Sequence, residues 1–320
     1  MNDRFDKKDS YQKKSGRKEG TKSGNGRYPQ RNDAPRYGGA KPARPAKPPR
    51  PTYEKSEGAE ELLRPSGQEE IGSGAVIGRN AVRELLGSDR TIDKILVRRG
   101  DREGSIVVLV AQAIERGIPV IEVDRTKLDA MAGAVPHQGI IALAAEKEYV
   151  EVEDILRIAE ERGEPPLIAI ADGITDPYNL GALIRCAEGL GAHGLIIPKR
   201  RAVGLTPLVT KASAGAIEHL AVAKVTNLAQ TVRSLQERGI WVYAAEAGGE
   251  SYDKTNFRGP CALIFGSEGD GVSALLKERC DAIVSIPMKG HVNSFNVSTA
   301  AAIILAEAAR QHREAAQSAE

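Results

Sequence analysis

Cysteine is scarce. The 320 residues hold three, Cys186, Cys261 and Cys280, odd in number and far apart, with no metal-ligand spacing. Cys186 and Cys261 sit in apolar runs and read as buried, reduced thiols, which points to the cytoplasm. No apolar run is long enough to span a membrane, and the opening residues Met1-Asn2-Asp3-Arg4-Phe5-Asp6 carry no apolar signal region. Aromatic residues make up only 4%, so any core must be aliphatic. Large aliphatic side chains are themselves almost absent before Leu62.

That last absence divides the chain. Residues 1–50 carry 15 Lys and Arg against 5 Asp and Glu, while the remainder carries 30 against 38. The overall charge of +2 therefore conceals a basic head on an acidic body. Residues 1–70, rich in Gly, Pro, Lys, Arg, Ser and Gln, cannot bury enough apolar area to offset chain entropy and read as a disordered tail. The run Lys41-Pro42-Ala43-Arg44-Pro45-Ala46-Lys47-Pro48-Pro49-Arg50 favours polyproline II. Two readings of the tail stay open: a salt-sensitive RNA tether with Tyr11, Tyr28, Tyr37 and Tyr53 available for base stacking, or a solubilising segment.

Residues 71–150 alternate short helical and strand patterns. Asn80–Leu86 reads as a helix with Asn80 placed to cap it, Ile92–Val97 as a strand, and Ser105–Glu115 as a helix closed by Gly117. Pro119–Val123, Thr126–Met131 and Gly139–Ala144 follow as strand, helix and strand, giving a small α/β sandwich. Arg98, Arg99 and Arg102 cluster after one strand, as a solvated face or a phosphate contact. His137 reads as a turn residue with a satisfied ring.

Residues 151–320 form a second α/β domain. Val152, Ile155, Leu156 and Ala159 mark a first helix, ended by Gly163 and Pro165-Pro166. The apolar runs Leu167–Ala171, Gly194–Ile197, Leu220–Val225, Trp241–Ala245, Ala262–Phe265 and Ala282–Ile286 read as parallel strands covered on both faces. Helices over Leu180–Leu190, Pro207–Ile217, Leu228–Arg238, Val272–Arg279 and Val297–Ala309 separate or follow them. In such sheets ligands bind beyond the carboxyl ends of the strands.

Three constellations lie there. The first runs Asp172-Gly173-Ile174-Thr175-Asp176-Pro177-Tyr178-Asn179-Leu180-Gly181 to Arg185; Asn179 stands at a helix start, and Arg185 either pairs with Asp172 or Asp176 as structural glue or serves function. The second, Gly266-Ser267-Glu268-Gly269-Asp270-Gly271, lacks the Gly-Lys-Ser/Thr of a P-loop and the G-x-G-x-x-G spacing. Its two acids disfavour phosphate and favour a neutral or cationic ligand. The third follows the last strand: Ile286-Pro287-Met288, then Ser294-Phe295-Asn296. An extended backbone there puts Ser294 and Asn296 on one side and Phe295 on the other, a wall between a polar substrate and an apolar cofactor face. His291 reads as a solvated loop residue.

Together, in this order and spacing, the three stretches resemble the motifs of the SpoU (TrmH) family of SPOUT methyltransferases, over about residues 75–310. Ile77-Gly78-Arg79-Asn80-Ala81-Val82 and His137-Gln138-Gly139 resemble the L30e-like RNA-binding domain of the same family. The nearest group is the RlmB type, which methylates a guanosine 2′-hydroxyl of 23S rRNA. The resemblance implies S-adenosylmethionine as cofactor, RNA as substrate, a homodimer with active sites near its interface, and a trefoil knot threaded after Ile286. It implies a cofactor site of Gly266, Ile286, Met288 and Phe295. The catalytic and RNA-facing set would be Asn179, Arg185, Glu268, Ser294 and Asn296. No metal is implied. Phe295 stands where the family leads one to expect Leu. Arg185 is either the base or, since a guanidinium rarely loses its proton, an electrostatic and phosphate-binding group. A tRNA ribose methyltransferase and a non-catalytic RNA-binding or ribosome-assembly protein are the alternatives.

Overall fold

A computed structural model describes residues 72, 74–100 and 104–318. The expectations for the basic tail over residues 1–70, and for Arg102, lie outside these residues.

Strands β1 (Ala75–Ile77), β2 (Ile92–Arg98), β3 (Val120–Val123) and β4 (Ile140–Ala144) form one sheet in the order β1-β4-β2-β3, with only β2 and β3 parallel. Side chains alternate across it. Val76, Ile95, Val97 and Ile140 pack under helices α1 (Arg79–Gly87) and α2 (Ser105–Glu115). Ile77, Leu96 and Ile141 face the opposite way, onto Leu128 and Met131 of α3 (Arg125–Ala132). β1 is absent from the sequence reading because three residues are too few for alternation to show. α1 starts one residue before Asn80, so its N-cap is Gly78, not Asn80.

Helix α4 (Val152–Arg162) opens on a capping box between Glu151 and Asp154 and closes at Gly163 in the left-handed conformation. Beyond it, β5 (Leu167–Ala171), β6 (Gly194–Pro198), β7 (Ala221–Val225), β8 (Trp241–Ser251), β9 (Cys261–Phe265) and β10 (Ala282–Ser285) form an all-parallel sheet in the order β10-β8-β9-β5-β6-β7. Ile168, Ile170, Val242 and Ile264 point to α4, α7 (Leu228–Glu237) and α8 (Ala274–Arg279). Leu167, Ala169, Leu195, Leu263 and Phe265 point to α5 (Pro177–Gly189) and α9 (Val297–Gln317). Burial on both faces explains the uninterrupted apolar runs.

Three elements differ from expectation. The helix read over Pro207–Ile217 breaks into α6 (Pro207–Ala212) and a single 3-10 turn, Ala216–Glu218. Ala214 and Gly215 take positive φ between them, and a side chain on Gly215 would collide with Glu84 of α1. β8 continues through the polar stretch to Ser251 because Glu250 and Ser251 pair with Val284 and Ser285 after a register shift. α9 runs eight residues past Ala309, with Gln311 bonded to Thr255 and Phe257.

The two sheets meet through polar contacts. Gln138 Oε1 accepts from the Arg79 backbone N–H at 3.0 Å and from Lys211 Nζ at 3.2 Å. Arg90 pairs with Glu218 at 2.8 Å, with side chains only 9% and 1% exposed, and Lys147 donates to the Glu218 carbonyl. Burial pushes the Lys147 amine below its usual range.

Candidate active site

Because all six strands of the larger sheet are parallel, their carboxyl ends share one edge. Asp172 follows β5, Gly266 follows β9 and Ile286 follows β10. The first two loops are stitched together: the Asp172 N–H donates to the Phe265 carbonyl at 2.8 Å, and Ser273 N–H donates to the Asp172 carboxylate at 2.7 Å.

Each loop has local reasons for its shape. α5 begins at Asp176, whose carboxylate accepts from Asn179 N–H at 3.0 Å, with Pro177 at the first helical position, where its fixed φ suits the helix. The Gly266–Gly271 loop closes on itself through paired backbone bonds between Ser267 and Gly271. A β-carbon on Gly266 would overlap the backbone of Gly271 and Val272, so glycine is required. α9 begins at Asn296, whose side-chain oxygen accepts from Ser298 N–H at 2.9 Å and Ser298 O–H at 2.6 Å.

These three loops converge on one side-chain amide. Asn296 Nδ2 donates to Asn179 Oδ1 at 2.9 Å and to Glu268 Oε1. The orientation is chemically fixed: the Glu268 carboxylate accepts only from N–H, and Ser298 N–H requires the oxygen side. Asn179 must then present its oxygen to Asn296, which turns its own NH2 group to the neighbouring cleft. Asn179, though only 9% exposed, lines that cleft, which has a volume of ≈ 820 Å³ and is also bounded by Glu268, Asp172 and Asp176.

The remaining expected residues are placed differently. Arg185 makes no hydrogen bond or ion pair among the described residues. The structural-glue reading fails, because Asp172 and Asp176 are engaged by backbone N–H groups instead. Six residues beyond Asn179, Arg185 lies ~240° round α5, on an exposed face with Tyr178. Ser294 is exposed and makes no hydrogen bond among the described residues. Ile286 and Met288 are half-buried, Ile286 against the core shared with α5 and α9, and Phe295 is 43% exposed. His291 is exposed, as its sequence suggested. His137 is satisfied: its Nδ1 accepts from Gly139 N–H at 3.0 Å and its Nε2 donates to Asp129 at 2.9 Å.

Cys261 is buried, and burial pushes its thiol up to about 12. Cys186, expected to be buried, is half-buried; burial raises its thiol pKa while the neighbouring Arg185 charge opposes.

Sequence reasoning missed Glu246. It accepts from Val272 N–H at 3.1 Å and pairs with Lys277 at 3.5 Å, holding the far end of the Gly-rich loop. The signal was a carboxylate directly after the apolar run Trp241–Ala245. It also missed Arg200 and Arg201, which follow β6 and line the cleft.

A sequence profile of the SpoU rRNA Methylase family matches residues 166–306, and one for RNA 2′-O ribose methyltransferase substrate binding matches residues 75–150. The TrmH family protein YacO of Bacillus subtilis, named for methylation of tRNA or rRNA, is 46% identical over 237 residues, 74% of this chain and 95% of YacO. The chain belongs to the SpoU/TrmH family of RNA methyltransferases. Among solved structures, this SpoU/TrmH chain is similar to the SpoU methyltransferase AviRb of Streptomyces viridochromogenes in complex with AdoMet. The TM-score is 0.62 at 25% identity, covering 75% of this chain and 90% of AviRb. An RNA 2′-O ribose methyltransferase structure matches with TM-score 0.62 at 26% identity, covering 74% of this chain and 88% of its own. The fold is that of the SPOUT methyltransferases: an α/β domain with a parallel sheet, preceded by a small α/β domain of substrate-binding type.

Proposed function

We propose that this protein methylates the ribose 2′-hydroxyl of a guanosine in 23S rRNA, with Asn179, Arg185, Glu268, Ser294 and Asn296 as the catalytic and RNA-facing groups. The observation that carries this reading is the single amide of Asn296 bonded to both Asn179 and Glu268, which unites the three motif loops at the carboxyl edge of the sheet.

The cofactor is S-adenosylmethionine, as in the AviRb complex. The residues present fit it. Apolar Ile286, Met288 and Phe295 remain partly exposed after β10, offering a surface for an adenosine. S-adenosylmethionine supplies a methyl group already activated on a sulfonium. What remains for the protein is alignment of the 2′-oxygen and removal of its proton, so proximity is the main contribution. The free NH2 of Asn179 donates to a ribose oxygen. Glu268 holds Asn296 in orientation and accepts from a ribose hydroxyl. Ser294 lies two residues before Asn296, within reach of the same sugar.

Arg185 lies on the exposed face of α5, turned ~240° from Asn179. We place it at the cluster of a second copy in a homodimer, where its charge binds a phosphate and lowers the hydroxyl pKa. Residues 71–150 grip the RNA, residues 151–320 perform transfer, and residues 1–70 add a tether. The cytoplasm is the compartment. Among the described residues, no helix is long and apolar enough to cross a membrane.

The test is methyl transfer from labelled S-adenosylmethionine into total RNA of a strain lacking this gene, followed by nucleoside analysis. Label in 2′-O-methylguanosine of 23S rRNA is the expected result. Label in tRNA would favour the tRNA enzyme, and cofactor binding without transfer would favour a non-catalytic RNA-binding protein.

A further inference from the structure

The cleft beside Asn179 and Glu268 has its own lining. The proposed cofactor residues Gly266, Ile286, Met288 and Phe295 lie in the loops after β9 and β10, and none of them lines it. It is lined by residues that follow β5, β6 and β7, together with residues 267–271 of the Gly-rich loop after β9 and Val297 of α9. Asn179 and Glu268 line it from two of the three motif loops.

The cleft carries both signs of charge. Asp172, Asp176, Glu268 and Asp270 line it together with Arg200 and Arg201. Asp172 and Asp176 each spend an oxygen on a backbone N–H, and Glu268 spends one on Asn296. Arg200 and Arg201 are exposed and make no hydrogen bond or ion pair among the described residues. Arg201 is held at φ 58, a left-handed conformation unfavourable for a residue with a β-carbon. An ordinary surface turn would place glycine or asparagine there.

A simple anion matches only the arginines and a simple cation only the carboxylates. A nucleotide matches both. Its ribose hydroxyls donate to carboxylates, and its phosphodiester accepts from guanidinium groups, whose planar donors suit two phosphate oxygens at once. At ≈ 820 Å³ the space lies within the range of pockets that enclose small ligands.

We propose that this cleft seats the target nucleotide, with Arg200 and Arg201 binding a phosphodiester that flanks the methylated ribose. The assignment rests on the ribose-methylation reading above and adds to it two residues and the side from which RNA enters.

Arg200→Gln and Arg201→Asn, singly and together in the full-length chain, test it; asparagine tolerates the left-handed backbone. The readouts are thermal unfolding, calorimetric S-adenosylmethionine binding, and transfer to in vitro transcribed 23S rRNA at several salt concentrations. The proposal predicts a rise in KM for RNA of about tenfold per arginine, and a fall of about one unit per arginine in the slope of log affinity against log salt. Cofactor affinity and unfolding temperature should stay at wild-type values, and Arg200→Lys should recover part of the loss. Wild-type KM and salt slope in the folded double variant would overturn the subsite alone. Weakened cofactor binding would instead give the cleft to S-adenosylmethionine. A wild-type protein that transfers nothing to RNA ribose would overturn the ribose-methylation reading, and the subsite with it.

Discussion

The side-chain amide of Asn296 donates to the side-chain oxygen of Asn179 across 2.9 Å, joining the N-cap of the closing helix to the first turn of α5. The two residues lie 117 positions apart, one after the central strand β5 and the other after the edge strand β10. Asn296 therefore has two duties. Its oxygen caps α9, and its nitrogen orders Asn179 and Glu268.

That dual role separates two substitutions. Asn296→Ala removes cap and donor together and should cost about 1 kcal/mol of stability besides its effect on transfer. Urea unfolding should resolve the difference from Asn296→Ser, which keeps a capping oxygen without setting a charge against Glu268; equal midpoints for the two would deny the capping role.

Gly266→Ala should prevent the Gly-rich loop from closing, because the added methyl meets backbone rather than a movable side chain. We expect a loss of about 2–3 kcal/mol in unfolding free energy. Cofactor binding by calorimetry should fall with it. A variant of wild-type stability would show that the loop reorganises freely.

Stability should fall on acidification through His193. The ring is 3% exposed, its Nδ1 accepts from Leu167 N–H, and its Nε2 donates to Glu164. Burial lowers its pKa, with Glu164 opposing. The native state then binds fewer protons than the unfolded chain, so this contribution is complete above about pH 6.5 and is lost as pH falls toward the lowered native value. His312, lowered chiefly by burial, acts with the same sign. Unfolding midpoints across roughly pH 5 to 7 should show a shallower slope in His193→Gln; an unchanged slope would assign the acid sensitivity elsewhere.

Arg90→Met should destabilise the joint between the two sheets by about 3 kcal/mol, since it strands a buried carboxylate. Glu218 already has one oxygen, Oε2, without a hydrogen-bond partner among the described residues. Adding Glu218→Leu should restore much of the loss. A single variant as stable as wild type would mean the pair is not needed there.

Much of this was legible in the sequence. Continuous apolar runs such as Leu167–Ala171 mark buried parallel strands, and the structure reproduces that strand to the residue. Asn179, Glu268 and Asn296 came from motif resemblance, and the structure brings them into contact. Arg200 and Arg201 were invisible because a pair of arginines after a strand looks like any solvated end. Glu246 acts on a loop 26 residues away, a relation that only strand order reveals. The broken helix at Gly215 depends on a neighbour, Glu84, 131 positions upstream. A knot is a matter of threading, and hydrophobic periodicity carries no information about it.

If Arg185 serves the partner's cluster, two dead variants should revive each other. Equimolar Arg185→Ala and Asn296→Asp chains, allowed to exchange subunits, should recover roughly a quarter of wild-type activity, because half the dimers carry one intact site of two. No recovery in verified mixed dimers would place Arg185 in its own chain's site.

The most direct test of the central claim is Asn296→Asp itself, assayed for S-adenosylmethionine binding and for transfer to RNA ribose. Aspartate retains the helix cap but sets a carboxylate against Glu268 and loses the donor to Asn179. The account predicts a folded protein that binds the cofactor and transfers at least ~100-fold more slowly. Near-wild-type transfer would contradict the role given to the amide that joins Asn179, Glu268 and Asn296.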